Sequence, residues 1–463
     1  MHDSLIASSK AAVPVLAVFE EDFEARFGEA RDQGVARANA FKGQAGKLIL
    51  ITDADGRLEK VWYGLGKAAH PDAMALRGLS ARLPDGDYRV ELSQPLIDAD
   101  SLTLGWMLGT YQFDRYKPQK DRQRPRLVTP RGADVEAVRR IASACGLARQ
   151  MVDTPAGDLG PLQIETIARE IAEEHRAEIA VTLGAALAED YPAVHAVGRA
   201  ADPARAPRMI EITWNGDRAD LPLVALVGKG VVFDSGGLDI KAAAGMRNMK
   251  KDMGGAAHAL ALGRLAMQSG LACRLKVLVP AVENAISGDA FRPGDVLKTR
   301  KGLSVEVGNT DAEGRLILSD ALARAGEHEP ELTIDFATLT GAARVALGPQ
   351  LPPFYTDDEA LAADIVEAAR TVDDPVWRMP LWRGYRDAVE AEIADLRNDS
   401  AEWAQAGSVT AALFLQRFAP ETGSWVHFDI FAWNPRARPG WPAGGEAQAL
   451  RAVFAVLQKR YGG

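Results

Sequence analysis

Leu221-Pro222-Leu223-Val224-Ala225-Leu226-Val227-Gly228-Lys229-Gly230-Val231-Val232-Phe233-Asp234-Ser235-Gly236-Gly237 carries the structural logic of the chain. Leu221–Val227 is apolar throughout and reads as a buried strand. It runs into Gly-Lys-Gly, takes a second short apolar step and stops at Asp-Ser-Gly-Gly, where glycines let backbone approach a ligand closely. Leu275–Val279, Leu303–Val307 and Leu332–Phe336 also read as strands, and helical patterns at Gly254–Met267 and Arg315–Ala325 fall between them. Strand, loop and helix in repetition predict an α/β domain with a mainly parallel central sheet flanked by helices. In such sheets ligands gather at loops beyond the carboxyl ends of strands.

The whole chain has 463 residues, 47% of them hydrophobic, with 54 Lys+Arg against 63 Asp+Glu and a formal net charge of −9. These proportions are globular and exclude disordered and collagen-like classes. The length exceeds what one core usually serves, so two domains are expected. Seven basic residues (Arg115, Lys117, Lys120, Arg122, Arg124, Arg126, Arg131) with one acid, Asp121, and three prolines read as a solvated connector. Beyond it Val135, Val138, Ala142, Cys145, Ala148 and Val152 recur at helical spacing, with Asp134 as N-cap and Thr154-Pro155 as the stop. The resulting division is a smaller N-terminal α/β accessory domain at 1–130, a linker helix at 131–155 and a larger C-terminal catalytic domain at 156–463. Ala11–Phe19 reads as a buried strand, because a signal peptide would continue into a small-residue cleavage site where this chain has Glu20-Glu21-Asp22. No apolar run is long enough to span a membrane. Cys145 and Cys273 form no disulfide framework, which suits the cytoplasm.

Three loops place ionisable groups where strands stop: Lys229 to Asp234, Lys250-Lys251-Asp252-Met253-Gly254-Gly255, and Asn309-Thr310-Asp311-Ala312-Glu313-Gly314-Arg315-Leu316. If they converge, Asp234, Asp252, Asp311 and Glu313 share one pocket, and repulsion forces some to take up protons unless cations compensate. Two divalent cations cancel four carboxylates. Sites rich in carboxylate and poor in histidine suit Mn²⁺, Mg²⁺ or Zn²⁺. Asp311 and Glu313, two residues apart, point the same way if the segment is extended. Taken singly, Asp252 reads as an N-cap, Asp311 and Glu313 as helix first-turn residues, and Lys229 as a solvated loop lysine.

The octapeptide Asn309–Leu316, with the Gly-Lys-Gly, Phe-Asp-Ser-Gly-Gly and Asp-Met-Gly-Gly elements in the same order, resembles the leucyl aminopeptidase family of two-metal peptidases. Asp153–Ala156, Ala281–Asn284, Arg292–Asp295 and Ala337–Gly341 are similar to further family blocks. The resemblance implies a metal-dependent aminopeptidase that releases N-terminal residues through a water activated by two ions, Mn²⁺ or Zn²⁺. It implies Asp234 and Glu313 as bridging ligands, Lys229 and Asp252 completing one site and Asp311 the other. Lys241 and Arg315 become the catalytic pair, with bicarbonate at Arg315. Met249, Thr338, Gly341, Phe431 and Asn434 correspond to the side-chain pocket, Phe431 and Asn434 standing where small and apolar residues are usual. The family also implies a cytoplasmic homohexamer acting on peptides with a free N-terminus.

Two other classes compete. Asp234-Ser235-Gly236-Gly237 echoes the nucleophile loop of serine proteases, which requires a histidine base. The basic stretch at Arg115–Arg131 supports a DNA-binding regulator, although the acidic balance disfavours a phosphate-backbone ligand. His427 reads as a packed, hydrogen-bonded histidine.

Overall fold

The computed structural model describes residues 4–26, 30–117, 124–400 and 404–462. The chain divides into two compact units: Met1–Gly146 with Arg436–Ala443, and Leu147–Pro435 with Gly444–Gly463. The first contains a six-stranded sheet built from β1 (Leu5–Ile6), β2 (Val13–Phe19), β3 (Leu48–Thr52), β4 (Leu58–Gly66), β5 (Gly86–Leu92) and β6 (Pro125–Val128), in the order β1-β6-β5-β2-β4-β3. Only β3 runs antiparallel to its neighbour.

The expected strand at Ala11–Phe19 is β2, its second half buried. The basic stretch is not a connector throughout. Pro125–Val128 pairs with β5 and β1, with Pro125 and Leu127 inward and Arg126 outward, as the two-residue period of a strand demands. Pro118, Lys120, Asp121 and Arg122 lie outside the described residues. Late in the chain, Arg436–Ala443 returns to this unit, where buried Arg77 donates from Nε to Gly440 O at 2.9 Å and stacks over Trp441, 4.4 Å from the ring centre.

The helix α1 (Val135–Asp153) begins as predicted, with Asp134 Oδ1 accepting from Ala137 N at 3.0 Å. It ends ahead of Pro155.

The second unit is organised on β7 (Glu178–Leu183), β8 (Arg208–Trp214), β9 (Leu223–Gly228), β10 (Gly230–Asp234), β11 (Arg274–Asn284), β12 (Val296–Lys298), β13 (Ser304–Glu306), β14 (Leu332–Ala337), β15 (Pro353–Tyr355), β16 (Trp377–Arg378), β17 (Leu396–Arg397) and β18 (Ser424–Asp429). The main sheet runs β16-β15-β18-β14-β9-β11-β8-β7, with β10 added on β11. Its centre, β18-β14-β9-β11, is parallel; β15 and β8 join it antiparallel, β7 pairs antiparallel with β8, and β16 pairs parallel with β15. Every residue of β9 and β14 is buried, as expected where both faces are covered. On one face lies α2 (Gly254–Gln268), nearly all of whose residues are buried, which accounts for its apolar character all round. Packed with the sheet is α3 (Glu313–Gly326).

One expected strand moved. Leu303–Val307 was read with the main sheet, but Ser304–Glu306 pairs with β12 and β17 in a separate three-stranded sheet. Only Val305 of the three is buried, so the segment alternates and suits a small surface sheet.

Candidate metal centre

The ends of β9 and β10 in the main sheet, the 3-10 turn ahead of α2 and the turn ahead of α3 bring the three loops to one place. Lys229 leaves β9 with its N–H donating to Phe336 O at 3.0 Å and its carbonyl accepting from Ala256 N at 2.8 Å, which fixes the side chain between strand ends and the start of α2. It is 2% exposed, not a solvated loop lysine. Nζ lies 2.7 Å from Asp252 Oδ2 and 2.9 Å from Glu313 Oε1, ion pairs in place of well-aligned hydrogen bonds. Asp234 closes β10, held by Asn284 Nδ2 and Gly236 N, each 2.9 Å from Oδ1. Lys241 Nζ stands 2.8 Å from Asp234 Oδ2 and also contacts Asp311 Oδ1.

Asp234, Asp252 and Glu313 each bring a carboxylate oxygen within 4.8 Å of the others, all three buried. Asp311 joins this group through Lys241. Neither residue pair keeps its expected local form. Asp252 belongs to a 3-10 turn, Met249–Met253, and caps nothing, since its carboxylate is taken by Lys229, Lys251 and Thr338 Oγ1. Asp311 and Glu313 do not share an extended segment: Asp311 sits in a turn and Glu313 is the first residue of α3.

The electrostatics follow from crowding. Burial raises the Glu313 carboxyl, Asp234 and Asp252 raise it further, and Lys229 only partly opposes them, so it is pushed up to about 8. Asp311 is pushed up to about 6 by burial and Asp234 against the pull of Lys241. Burial disfavours the Lys229 and Lys241 ammonium groups, yet the carboxylates around them outweigh it and raise both. Two lysines do not neutralise four carboxylates. Glu313 Oε2 is buried without a hydrogen-bond partner, an open oxygen donor in a negative pocket. The donor set therefore fits hard or borderline divalent cations.

Arg315, 8% exposed, has its Nε buried without a hydrogen-bond partner. Burial lowers its guanidinium to about 10, with Asp399, Glu313 and Asp429 resisting, and it stays charged at neutral pH.

Around the carboxylates, Thr338 Oγ1 donates to Asp252 Oδ1 at 2.8 Å, Met249 opens the 3-10 turn that carries Asp252, and Gly341 has open space where a Cβ would stand. Phe431 lies under Lys251, whose Nζ is 5.7 Å from the ring centre. Asn434 is buried in a two-residue ladder with Gly444.

Supporting residues escaped the sequence reading. Asn398, fully buried, accepts from Gly308 N and Asn309 N and donates to Asn309 O and Ala312 O, cradling the octapeptide from 89 residues away. Gln448 Oε1 accepts from Phe431 N and Ala432 N, fixing Ala432 at φ 54, and Gln448 N donates to His258 Nε2 at 3.0 Å. His258 Nδ1, 2.6 Å from Gly254 O, completes the relay. Burial holds His258 down at about 4 despite that contact and the nearby Asp374 and Glu446. An unfolded histidine titrates near 6.5, so between pH 6.5 and 4 only the unfolded chain takes up the proton. Stability contributed here is complete above about pH 6.5 and falls by about 3 kcal/mol as pH drops to 4. Urea midpoints measured from pH 7 to 4.5 should fall less in His258→Gln than in the parent; equal slopes would contradict the assignment.

His427 is fully buried, with Nδ1 2.5 Å from Asp335 Oδ1, as its apolar neighbours indicate. Ser235 Oγ donates to Asn284 O at 2.7 Å and accepts from Gly237 N, and among the described residues no histidine hydrogen-bonds to it. The serine-protease alternative lacks its base. Among the described residues no helix is long and apolar enough to cross a membrane.

An α/β unit that gathers buried carboxylates and lysines beside its parallel sheet centre, with oxygen donors left open, fits the class of metal-dependent enzymes. Residues 146–454 match the catalytic domain of the cytosol aminopeptidase family, and residues 13–130 match the M17 aminopeptidase N-terminal domain. A probable cytosol aminopeptidase of Syntrophotalea carbinolica is 34% identical over 480 residues, covering 96% of this chain and 94% of its own. The crystal structure of a cytosol aminopeptidase from Coxiella burnetii superposes with a TM-score of 0.91 at 41% identity, over 98% of both chains. The bottromycin maturation enzyme BotP, in complex with Mn, gives 0.86 at 32% identity over 98% of this chain and 100% of its own. The chain belongs to the cytosol aminopeptidase family, and its activity is that of a metal-dependent aminopeptidase.

Proposed function

We propose that Asp234, Asp252, Asp311 and Glu313, with Lys229 as the neutral amine left when cations displace its proton, would hold two divalent cations, Mn²⁺ or Zn²⁺, Asp234 and Glu313 serving both. The observation that carries this is the convergence of Asp234, Asp252 and Glu313 within 4.8 Å, with the Glu313 Oε2 donor open. When bound, such ions lower the pKa of a water and polarise a carbonyl. The protein's own groups do the rest. The Lys241 ammonium, half-buried at the edge of the carboxylates, stabilises negative charge developing on the peptide oxygen. The open Arg315 Nε would hold a small anion, bicarbonate, which would supply a proton acceptor beside Glu313. Met249, Thr338, Gly341, Phe431 and Asn434 receive the side chain of the first residue. Peptides with a free α-amine are the substrates, and the working form is a cytoplasmic homohexamer in which 131–155 links an accessory domain to the catalytic one.

Chelator treatment should abolish hydrolysis of aminoacyl-anilides, and Mn²⁺ or Zn²⁺ should restore it, while an N-acetylated peptide stays intact throughout. Activity that survives chelation and yields to a serine reagent would overturn this reading.

A further inference from the structure

Beside the proposed side-chain pocket stands an exposed arginine whose side chain has no hydrogen-bond or ion-pair partner among the described residues. Arg344 lies on α4 (Gly341–Leu347), three residues beyond Gly341, so the two share a helix face. Helical side chains lean toward the N-terminus of their helix, here the Gly341 end, and among the described residues nothing stands within 4 Å of where a Cβ at Gly341 would be. Its guanidinium stacks on Phe431, 4.7 Å from the ring centre, and Lys251 Nζ approaches the same ring at 5.7 Å. Lys251 in turn is 3.1 Å from Asp252 Oδ1, so Phe431 is one side chain removed from the carboxylate centre and Arg344 two. Arg344 and Phe431 line one cleft together with Thr340, Ala343 and Pro349.

The charges nearby are already committed. Lys251 pairs with Asp252. Asp429, which borders the cleft, accepts from Leu339 N, Thr340 N, Thr340 Oγ1 and Ser408 Oγ, so both its oxygens are engaged. Among the described residues the Arg344 side chain makes no hydrogen bond and no ion pair. Its guanidinium packs on an aromatic face, an arrangement that orients the planar group and leaves its N–H edge available to a carboxylate. The ring is itself held at its backbone by Gln448.

We infer that Arg344, oriented by Phe431, selects substrates whose first residue carries a side-chain carboxylate, glutamate before aspartate because the longer arm reaches further along the pocket. This rests on the aminopeptidase reading and specifies its substrate class.

The test compares kcat/KM for Glu-, Gln-, Asp- and Leu-p-nitroanilide in the metal-loaded enzyme and in Arg344→Gln. Glu and Gln differ only in charge, so their ratio isolates the guanidinium from packing. The parent should favour Glu over Gln by about tenfold, and Arg344→Gln should bring that ratio near one, as expected for loss of one charge-assisted contact. Arg344→Glu should shift preference toward a lysyl substrate. A Glu/Gln ratio unchanged in Arg344→Gln, with either substrate still cleaved, overturns this inference and leaves the aminopeptidase intact. Absence of hydrolysis of all four substrates by the parent overturns both.

Discussion

Glu313→Ala is expected to lose about a thousandfold or more in kcat, together with measurable affinity for divalent cations. Glu313 is 1% exposed, stands at the first position of α3, and offers one oxygen to Lys229 and another to no partner among the described residues. Removing it withdraws a ligand the proposal assigns to both ions. Lewis-acid stabilisation of a transition state is worth several kcal/mol, and each 1.4 kcal/mol is about a decade in rate. Lys229 also loses one of its two close counter-charges, so a buried ammonium is left paired with Asp252 alone. Glu313→Gln keeps the shape and should lose nearly as much, which separates charge from packing. Calorimetric titration with Mn²⁺ beside steady-state kinetics is the check. Retention of activity within tenfold in the Gln variant would remove Glu313 from the centre.

Gly255→Ala should be the most destructive single-methyl substitution in the catalytic unit. A Cβ there would lie 2.0 Å from Phe336 O and 2.6 Å from Lys229 N, the two atoms joined in the hydrogen bond that seats Lys229 between β9 and β14. Both obstacles are backbone, so no side chain can swing aside. Overpacking in a close-packed interior commonly costs about 1–3 kcal/mol, and one that also forces a strand aside belongs in the tail above about 4 kcal/mol. Gly157→Ala, with nothing near its Cβ, should stay within about 0.5 kcal/mol. Urea denaturation of the two variants settles the comparison, and equal midpoints would refute the crossing argument.

What the sequence disclosed and what it hid divide along chain separation. Lys229 and Asp234 were legible because each lies where an apolar strand of the main sheet stops, and Asp252 and Glu313 because each stands in a short polar step ahead of a helix. Asn398 sits in an unremarkable polar stretch, and its function exists only because β17 brings it beside the octapeptide. Gln448 and His258 are 190 residues apart and become a relay only after α2 is buried. Leu303–Val307 misled because a five-residue apolar-rich run looks alike in a central and a peripheral sheet. The extended reading of Asp311–Glu313 failed because α3 begins at Glu313 itself.

The return of Arg436–Ala443 to the first unit bears on how the protein is made. Arg77 is buried, yet the carbonyl and indole that meet its guanidinium belong to Gly440 and Trp441, 363 and 364 positions further along. At about 5–20 residues per second a ribosome reaches them roughly 20–70 s after Arg77 has been added. Through that interval the amino-terminal unit is without the segment that supplies the carbonyl and the indole at Arg77. It also means that a gene truncated before residue 436 damages the unit encoded at its opposite end.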